Sequence, residues 1–172
     1  MAIPPMDENL KQLLSAFNAN RVKYVVIGGY AVFVHAQPRM TKDLDVFIES
    51  SLENAIATYK SLAEFGAPLA KFTVEDFADG KTIGRFGVPP ICFEVIQKIN
   101  GVDFDSVYAN SVTVMIDGEI PARYISAEDL ITNKLASGRP QDLADAAAVR
   151  QAQAAKKKPK TISAGPVTAA PP

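Results

Sequence analysis

Residues 24–48 read YVVIGGYAVFVHAQPRMTKDLDVFI, and they set a β-branched run, a glycine pair, a short apolar segment, a basic turn and an acidic strand start in immediate succession. That order leaves the backbone few choices. Residues 22–27 (VKYVVI) have the composition of a strand and stop at Gly28-Gly29, residues 30–36 form a short apolar helix ending before Pro38, and a second strand opens at Asp43. A strand, a glycine turn and a helix start together make an anion site, because glycine lets anionic oxygens approach backbone N–H groups and the helix N-terminus adds partial positive charge. A plain turn carries the same glycine pair. The stretch is neither a Walker A loop, having no Lys-Ser/Thr at the required spacing, nor a dinucleotide fingerprint, having no Gly-x-Gly-x-x-Gly.

Asp43-Leu44-Asp45 begins the apolar run Val46-Phe47-Ile48, so both carboxylates leave one face of the strand while Leu44 turns to the core. Two carboxylates at that separation repel unless a cation lies between them, and Mg²⁺ prefers carboxylate and phosphate oxygens. A solvated strand edge shows the same spacing. Arg39 adds a planar, permanently charged fork suited to phosphate oxygens, and Thr41 is expected to hydrogen-bond near the turn and steady the aspartates. Phosphoryl-type chemistry with two metal ions asks for a third carboxylate. In residues 91–96 (ICFEVI), alternation sets Ile91, Phe93 and Val95 on one face and Cys92, Glu94 and Ile96 on the other. Glu94 is therefore the leading third acid, since a lone carboxylate on an apolar strand face is costly unless paired or metal-bound. An edge-strand charge facing water is its alternative. Asp103 and Asp105 stand behind it as loop or turn acids.

The C-terminal half adds a second group. Ser126-Ala127-Glu128-Asp129 fits a helix start, with the helix running through Ile131, Lys134 and Leu135 and closing near Gly138. Arg139-Pro140 opens another helix, on which Asp142 and Asp145 lie three apart and near one face. Capping or pairing with Arg139 is the structural role open to Asp142. Residues 52–65 have helical spacing and end at Gly66, residues 71–85 read as a mobile loop or irregular strand, and residues 111–116 and 120–125 flank the hairpin signal Asp117-Gly118.

Over residues 20–150, Gly28-Gly29-Tyr30-Ala31, Arg39-Met40-Thr41-Lys42-Asp43-Leu44-Asp45 and the later acidic strand resemble the minimal nucleotidyltransferases of the DNA polymerase β superfamily, and within it the bacterial AbiEii-type group. The resemblance implies an α/β fold: a mixed twisted β-sheet with flanking helices and a helical C-terminal extension. It implies transfer of a nucleoside monophosphate from an NTP such as ATP or GTP to a hydroxyl, with Mg²⁺, two ions at most, held by Asp43, Asp45 and Glu94. Gly28, Gly29, Arg39 and Thr41 then form the nucleotide-binding set. The family commonly has aspartate where this chain has Glu94. Lys134-Leu-Ala-Ser-Gly-Arg-Pro-Gln-Asp142-Leu-Ala-Asp145 resembles the family's lysine and Arg-x-x-Asp-x-x-Asp elements, which implies that Lys134 touches the triphosphate and Asp142 lies at the rim of the site. The implied setting is toxin–antitoxin, with a cognate toxin or antitoxin as partner and a protein, a tRNA or a small molecule as acceptor. A nucleotide-binding or partner-binding protein that has kept the fold and lost turnover is the alternative.

At 172 residues and 48% hydrophobic composition the chain can bury one core, read as a single domain over residues 1–154. Residues 155–172, with four lysines and a Pro/Ala/Thr-rich end, read as a flexible tail. The body then holds 14 basic against 19 acidic residues, a poor balance for general nucleic-acid binding. No signal-peptide pattern opens the sequence and the longest apolar stretch is too short to span a bilayer, so a cytoplasmic protein without a membrane partner is expected. Cys92 is the single cysteine and His35 the single histidine, which rules out an internal disulfide and leaves cysteine- or serine-hydrolase readings unsupported.

Overall fold

The computed structural model describes residues 3–37, 39–41, 43–159 and 162–166; Pro38, Lys42 and the rest of the expected tail lie outside the described residues. Helix α1 (Glu8–Ala19) starts where the Asp7 side chain accepts the Asn9 amide, and it buries Leu10, Leu13, Leu14 and Phe17 along one face. Strand β1 (Tyr24–Ile27) is buried throughout and runs directly into α2 (Gly28–His35), which opens two residues earlier than the expected helix start, with both glycines in its first turn. Strand β2 (Asp43–Ile48) follows. Helix α3 (Leu52–Phe65) has Ser51 as N-cap and Gly66 in the left-handed conformation as its stop, as its sequence signals imply.

Residues 71–85, expected as a mobile loop or an irregular strand, form a pinned loop with one 3₁₀ turn that runs into the edge strand. Phe72 stacks on Phe77 within a one-turn 3₁₀ segment (Glu75–Phe77), and Gln97, buried, donates to the Asp76 and Thr82 carbonyls while accepting the Gly80 amide. Asp79 accepts from the Lys81 and Thr82 amides. The segment is thereby pinned at both ends and delivers β3 (Gly84–Val88) to the sheet edge beside β4 (Ile91–Ile96). Helix α4 (Phe104–Asn110), capped by Asp103, leads to the hairpin β5 (Val112–Ile116) and β6 (Ile120–Tyr124), whose turn places Asp117 and Gly118 at positive φ. Helices α5 (Ala127–Ser137) and α6 (Pro140–Lys157) pack together, and α2 packs against α6.

The six strands lie in the order β3-β4-β2-β1-β6-β5. β2 runs parallel to β4 and antiparallel to β1, β1 is parallel to β6, and both outer pairs are antiparallel, which makes the sheet mixed. This is the α/β architecture expected from the sequence. Among the described residues no helix is long and apolar enough to cross a membrane. The domain limit at residue 154 falls inside α6, whose last turn is exposed.

Candidate active site

Register decides which side chains meet. Ile27 on β1 pairs with Asp45 on β2, Asp45 with Glu94 on β4, and Glu94 with Arg85 on β3, so four strands contribute one lateral row. In-register neighbours share a face, which brings Asp45, Glu94 and Arg85 side by side, with Asp43 two residues along on the same face at the exposed start of β2. Burial and then the nearby Glu94 and Asp43 charges push the Asp45 carboxyl up to about 6, with Lys134 and Arg85 pulling the other way. Glu94 is held by Arg85, whose Nε donates to Glu94 Oε1 at 2.6 Å while Nη2 makes a charge contact with the same oxygen at 2.5 Å.

The glycine pair is required by two close approaches. Gly28 sits at φ 68°, and a Cβ there would run into the Asp45 carboxylate. At Gly29 a Cβ would lie 2.6 Å from Thr41 Oγ1 and 3.3 Å from Arg39 Nη2. The start of α2 is thus set directly against both the acidic strand and the basic turn. No side chain caps that helix start. Arg39 Nε is buried without a hydrogen-bond partner among the described residues, a donor awaiting an acceptor.

The helical extension closes the site from the other side. Lys134, buried on α5, lies 3.1 Å from Asp142 Oδ1 and 3.3 Å from Asp145 Oδ2, the latter a charge contact without hydrogen-bond geometry. Arg139 Nε donates to Asp142 Oδ2 at 2.7 Å. Burial pushes the Asp142 carboxyl upward, yet the hydrogen bonds from Arg139 and Lys134 prevail and hold it below the usual carboxylate value. Asp145 Oδ1 accepts from Arg39 Nη1 at 3.2 Å and from Gln141 Nε2 at 3.0 Å. The sequence assigns no site role to Asp145 or Arg85; the three-residue step from Asp142 is the available signal for the first, and nothing local marks the second.

Gly28, Asp45, Glu94, Lys98, Lys134 and Arg139 line a cleft of about 280 Å³. Asp142 also borders it, whereas Asp103 caps α4 through the Ser106 amide and Asp105 is exposed on that helix. His35 is buried with Nε2 2.6 Å from the Ile125 carbonyl, and burial lowers its pKa. Cys92 is buried and unpaired. Among the described residues no three His, Cys, Asp or Glu side chains form a ready metal-ligand group. Asp43 and Asp45 leave one face of β2 side by side, and a divalent cation fits that pair, because Asp45 is buried beside like charge that Lys134 and Arg85 offset only in part, its pKa staying raised.

No curated protein sequence matches the chain. Among solved structures, the fold is similar to the crystal structure of ANT(2″)-Ia in complex with adenylyl-2″-tobramycin, at 11% identity and TM-score 0.54, over 86% of this chain and 89% of that one. At that identity the likeness is one of fold. Residues 4–153 match the family described as "Nucleotidyltransferase of unknown function (DUF6036)", and with most of its length inside that match the chain belongs to this nucleotidyltransferase family.

Proposed function

We propose that the protein transfers a nucleoside monophosphate from an NTP to a hydroxyl acceptor, with Mg²⁺ bound at Asp43 and Asp45. The observation that carries this reading is the placement of Asp45 in register with Glu94, with the Gly28 backbone packed against its carboxylate at the start of an uncapped helix. When bound, the cation would neutralise triphosphate charge and polarise the reacting phosphate. The chain's own groups do the rest. Amides at Gly28 and Gly29 and the unpartnered Arg39 Nε donate to phosphate oxygens, and Thr41 abuts Gly29 and holds the turn in place. The acceptor oxygen attacks the α-phosphorus, the bond to pyrophosphate breaks, and Glu94 takes the hydroxyl proton. Lys134, held between two aspartates at the cleft wall, stabilises negative charge on the departing pyrophosphate, and Asp142 orients it.

The acceptor classes are a protein side chain, a tRNA end and a small molecule. The motif likeness to the AbiEii-type group supports a toxin–antitoxin setting with a cognate partner, while the solved complex of ANT(2″)-Ia with adenylyl-2″-tobramycin supports a small-molecule hydroxyl. A second reading, a nucleotide-binding protein with little or no turnover, is favoured by the bond between Glu94 and Arg85, which occupies the acid that would serve as base or third ligand. The deciding experiment incubates the protein with α-labelled ATP, GTP, CTP and UTP, Mg²⁺ and extracts containing candidate acceptors, following label transfer and pyrophosphate release. Enzyme activity is expected to fall by about 100-fold or more in Glu94→Gln with a smaller change in NTP affinity. Metal-dependent NTP binding with no transfer to any acceptor would favour the second reading.

A further inference from the structure

The lateral row does not stop at the acids. Arg85, on the edge strand β3, is the register partner of Glu94 on the side away from Asp45, so the sequence across the sheet is cation, acid, acid. Its guanidinium makes two contacts, Nε at 2.6 Å and Nη2 at 2.5 Å, both to Glu94 Oε1. Glu94 is the more enclosed partner: its side chain is 17% exposed and that of Arg85 is 78% exposed. A largely desolvated carboxylate needs a cation, and a guanidinium stays charged at every working pH. Arg85 meets that need from the rim without serving the core.

We infer that Arg85 stands in for a second divalent ion, so that the site works with one metal. The inference rests on the nucleotidyltransferase reading above, which supplies the metal at Asp43 and Asp45. Charge balance supports it: one divalent ion together with Arg85 matches the three carboxylates Asp43, Asp45 and Glu94. Geometry supports it too, since Arg85 already neutralises Glu94 through Oε1, so a second ion at the other oxygen would set a further divalent charge directly beside the guanidinium, and no three acids among the described residues form a ready ligand group. Arg85 then offers its remaining donor edge to anionic oxygen entering the cleft, the task a second cation would perform.

Mn²⁺ as probe counts the ions. The full chain is titrated with Mn²⁺ in the presence of α,β-methylene ATP or GTP, and bound ions are counted by electron paramagnetic resonance, with spin–spin coupling marking any close pair. Wild type is expected to hold one Mn²⁺ per chain, and Arg85→Met, which removes charge and keeps an apolar stem, is expected to hold two with a coupled signal. Arg85→Gln gives the same count if the Met variant folds poorly by circular dichroism. Two coupled ions in wild type, or one ion in both charge-removing variants, overturns the role of Arg85 and leaves the nucleotidyltransferase reading standing. No bound Mn²⁺ in any of these proteins overturns both.

Discussion

Arg39 Nη1 and Asp145 Oδ1 stand 3.2 Å apart although 106 positions separate them in the chain. Asp145 is 5% exposed at its side chain and reaches Lys134 through its other oxygen, so one carboxylate links a cation at the glycine turn to a cation on the helical extension. Removing one member of a buried ion group leaves the others desolvated and unpaired. Asp145→Ala is therefore expected to cost about 1–3 kcal/mol in urea unfolding and to weaken NTP binding, because Arg39 and Lys134 lose their common anchor while Lys134 keeps Asp142. Wild-type stability and affinity in this variant would show that the link has no positioning role.

The aspartate pair gives the opposite sign for stability. Asp43→Asn with Asp45→Asn is expected to abolish metal-dependent NTP binding while leaving the thermal midpoint unchanged or raised, because two repelling carboxylates are neutralised. Calorimetric titration with MgNTP checks the first part and differential scanning the second. Unchanged MgNTP affinity in the double variant would remove these residues from the site.

Proton linkage at Asp45 makes that stability gain depend on pH. Its folded-state pKa of about 6 lies above the ordinary 3.8, so the folded protein prefers the protonated form. The contribution is fully present below the unfolded value and is lost as pH rises through the folded one. In metal-free buffer the stability advantage of Asp45→Asn over wild type should be near zero at pH 4 and reach about 2–3 kcal/mol at pH 8. Mg²⁺ should shrink the difference by stabilising the ionised carboxylate. An advantage independent of pH between 4 and 8 would contradict the raised value.

What was legible in the sequence was local. The strand–glycine–helix order, the period-2 placement of Asp43 with Asp45, the alternation that isolates Glu94 and the caps at Ser51, Ser126, Gly66 and Gly138 are all set by neighbours within a few residues. The sheet edge was not. β3 carries two glycines, Gly84 and Gly87, that weaken its strand signal, and its register on β4 is set by Phe86 stacking against Phe93 and by Gln97 donating to the Thr82 carbonyl, which no short window of sequence announces. Arg85 could not be paired with Glu94 without that register. Asp145 was visible beside Asp142 on a helix face, but its partner Arg39 belongs to a distant loop. Residues 155–157 read as the start of the tail, yet the helix propensity of the Ala-, Gln- and Lys-rich run carries α6 onward to Lys157. Helix α1 had a clear signal of its own in Asp7 and the Leu10, Leu13, Leu14, Phe17 spacing, lying outside the motif-bearing stretch.

Gly28 allows strain and site geometry to be separated. Gly28→Ala places a β-carbon at φ 68° and against the Asp45 carboxylate, whereas Gly118→Ala, at φ 72°, meets nothing within 4 Å. Both are expected to lose about 1–2 kcal/mol to the left-handed backbone. Only Gly28→Ala should lose NTP affinity, by at least about tenfold, or 1.4 kcal/mol. Equal affinities in the two variants would mean that the Gly28 approach to Asp45 is incidental.

The tail is expected to be dispensable for folding and for the chemical step. Val149 is the last fully buried residue of α6, and residues 154–159 and 162–166 are exposed, so among the described residues deletion from Lys156 onward removes little packed surface. The thermal midpoint and NTP affinity should stay at their wild-type values. Four lysines leave with the segment, and against a body of 14 basic and 19 acidic residues that loss bears on any RNA contact. With a tRNA acceptor, truncation should weaken acceptor binding and flatten its salt dependence, because fewer counterions are released. With a protein or small-molecule acceptor, binding should change little. A large drop in the thermal midpoint would show that the tail docks on the body and that the domain extends beyond residue 154.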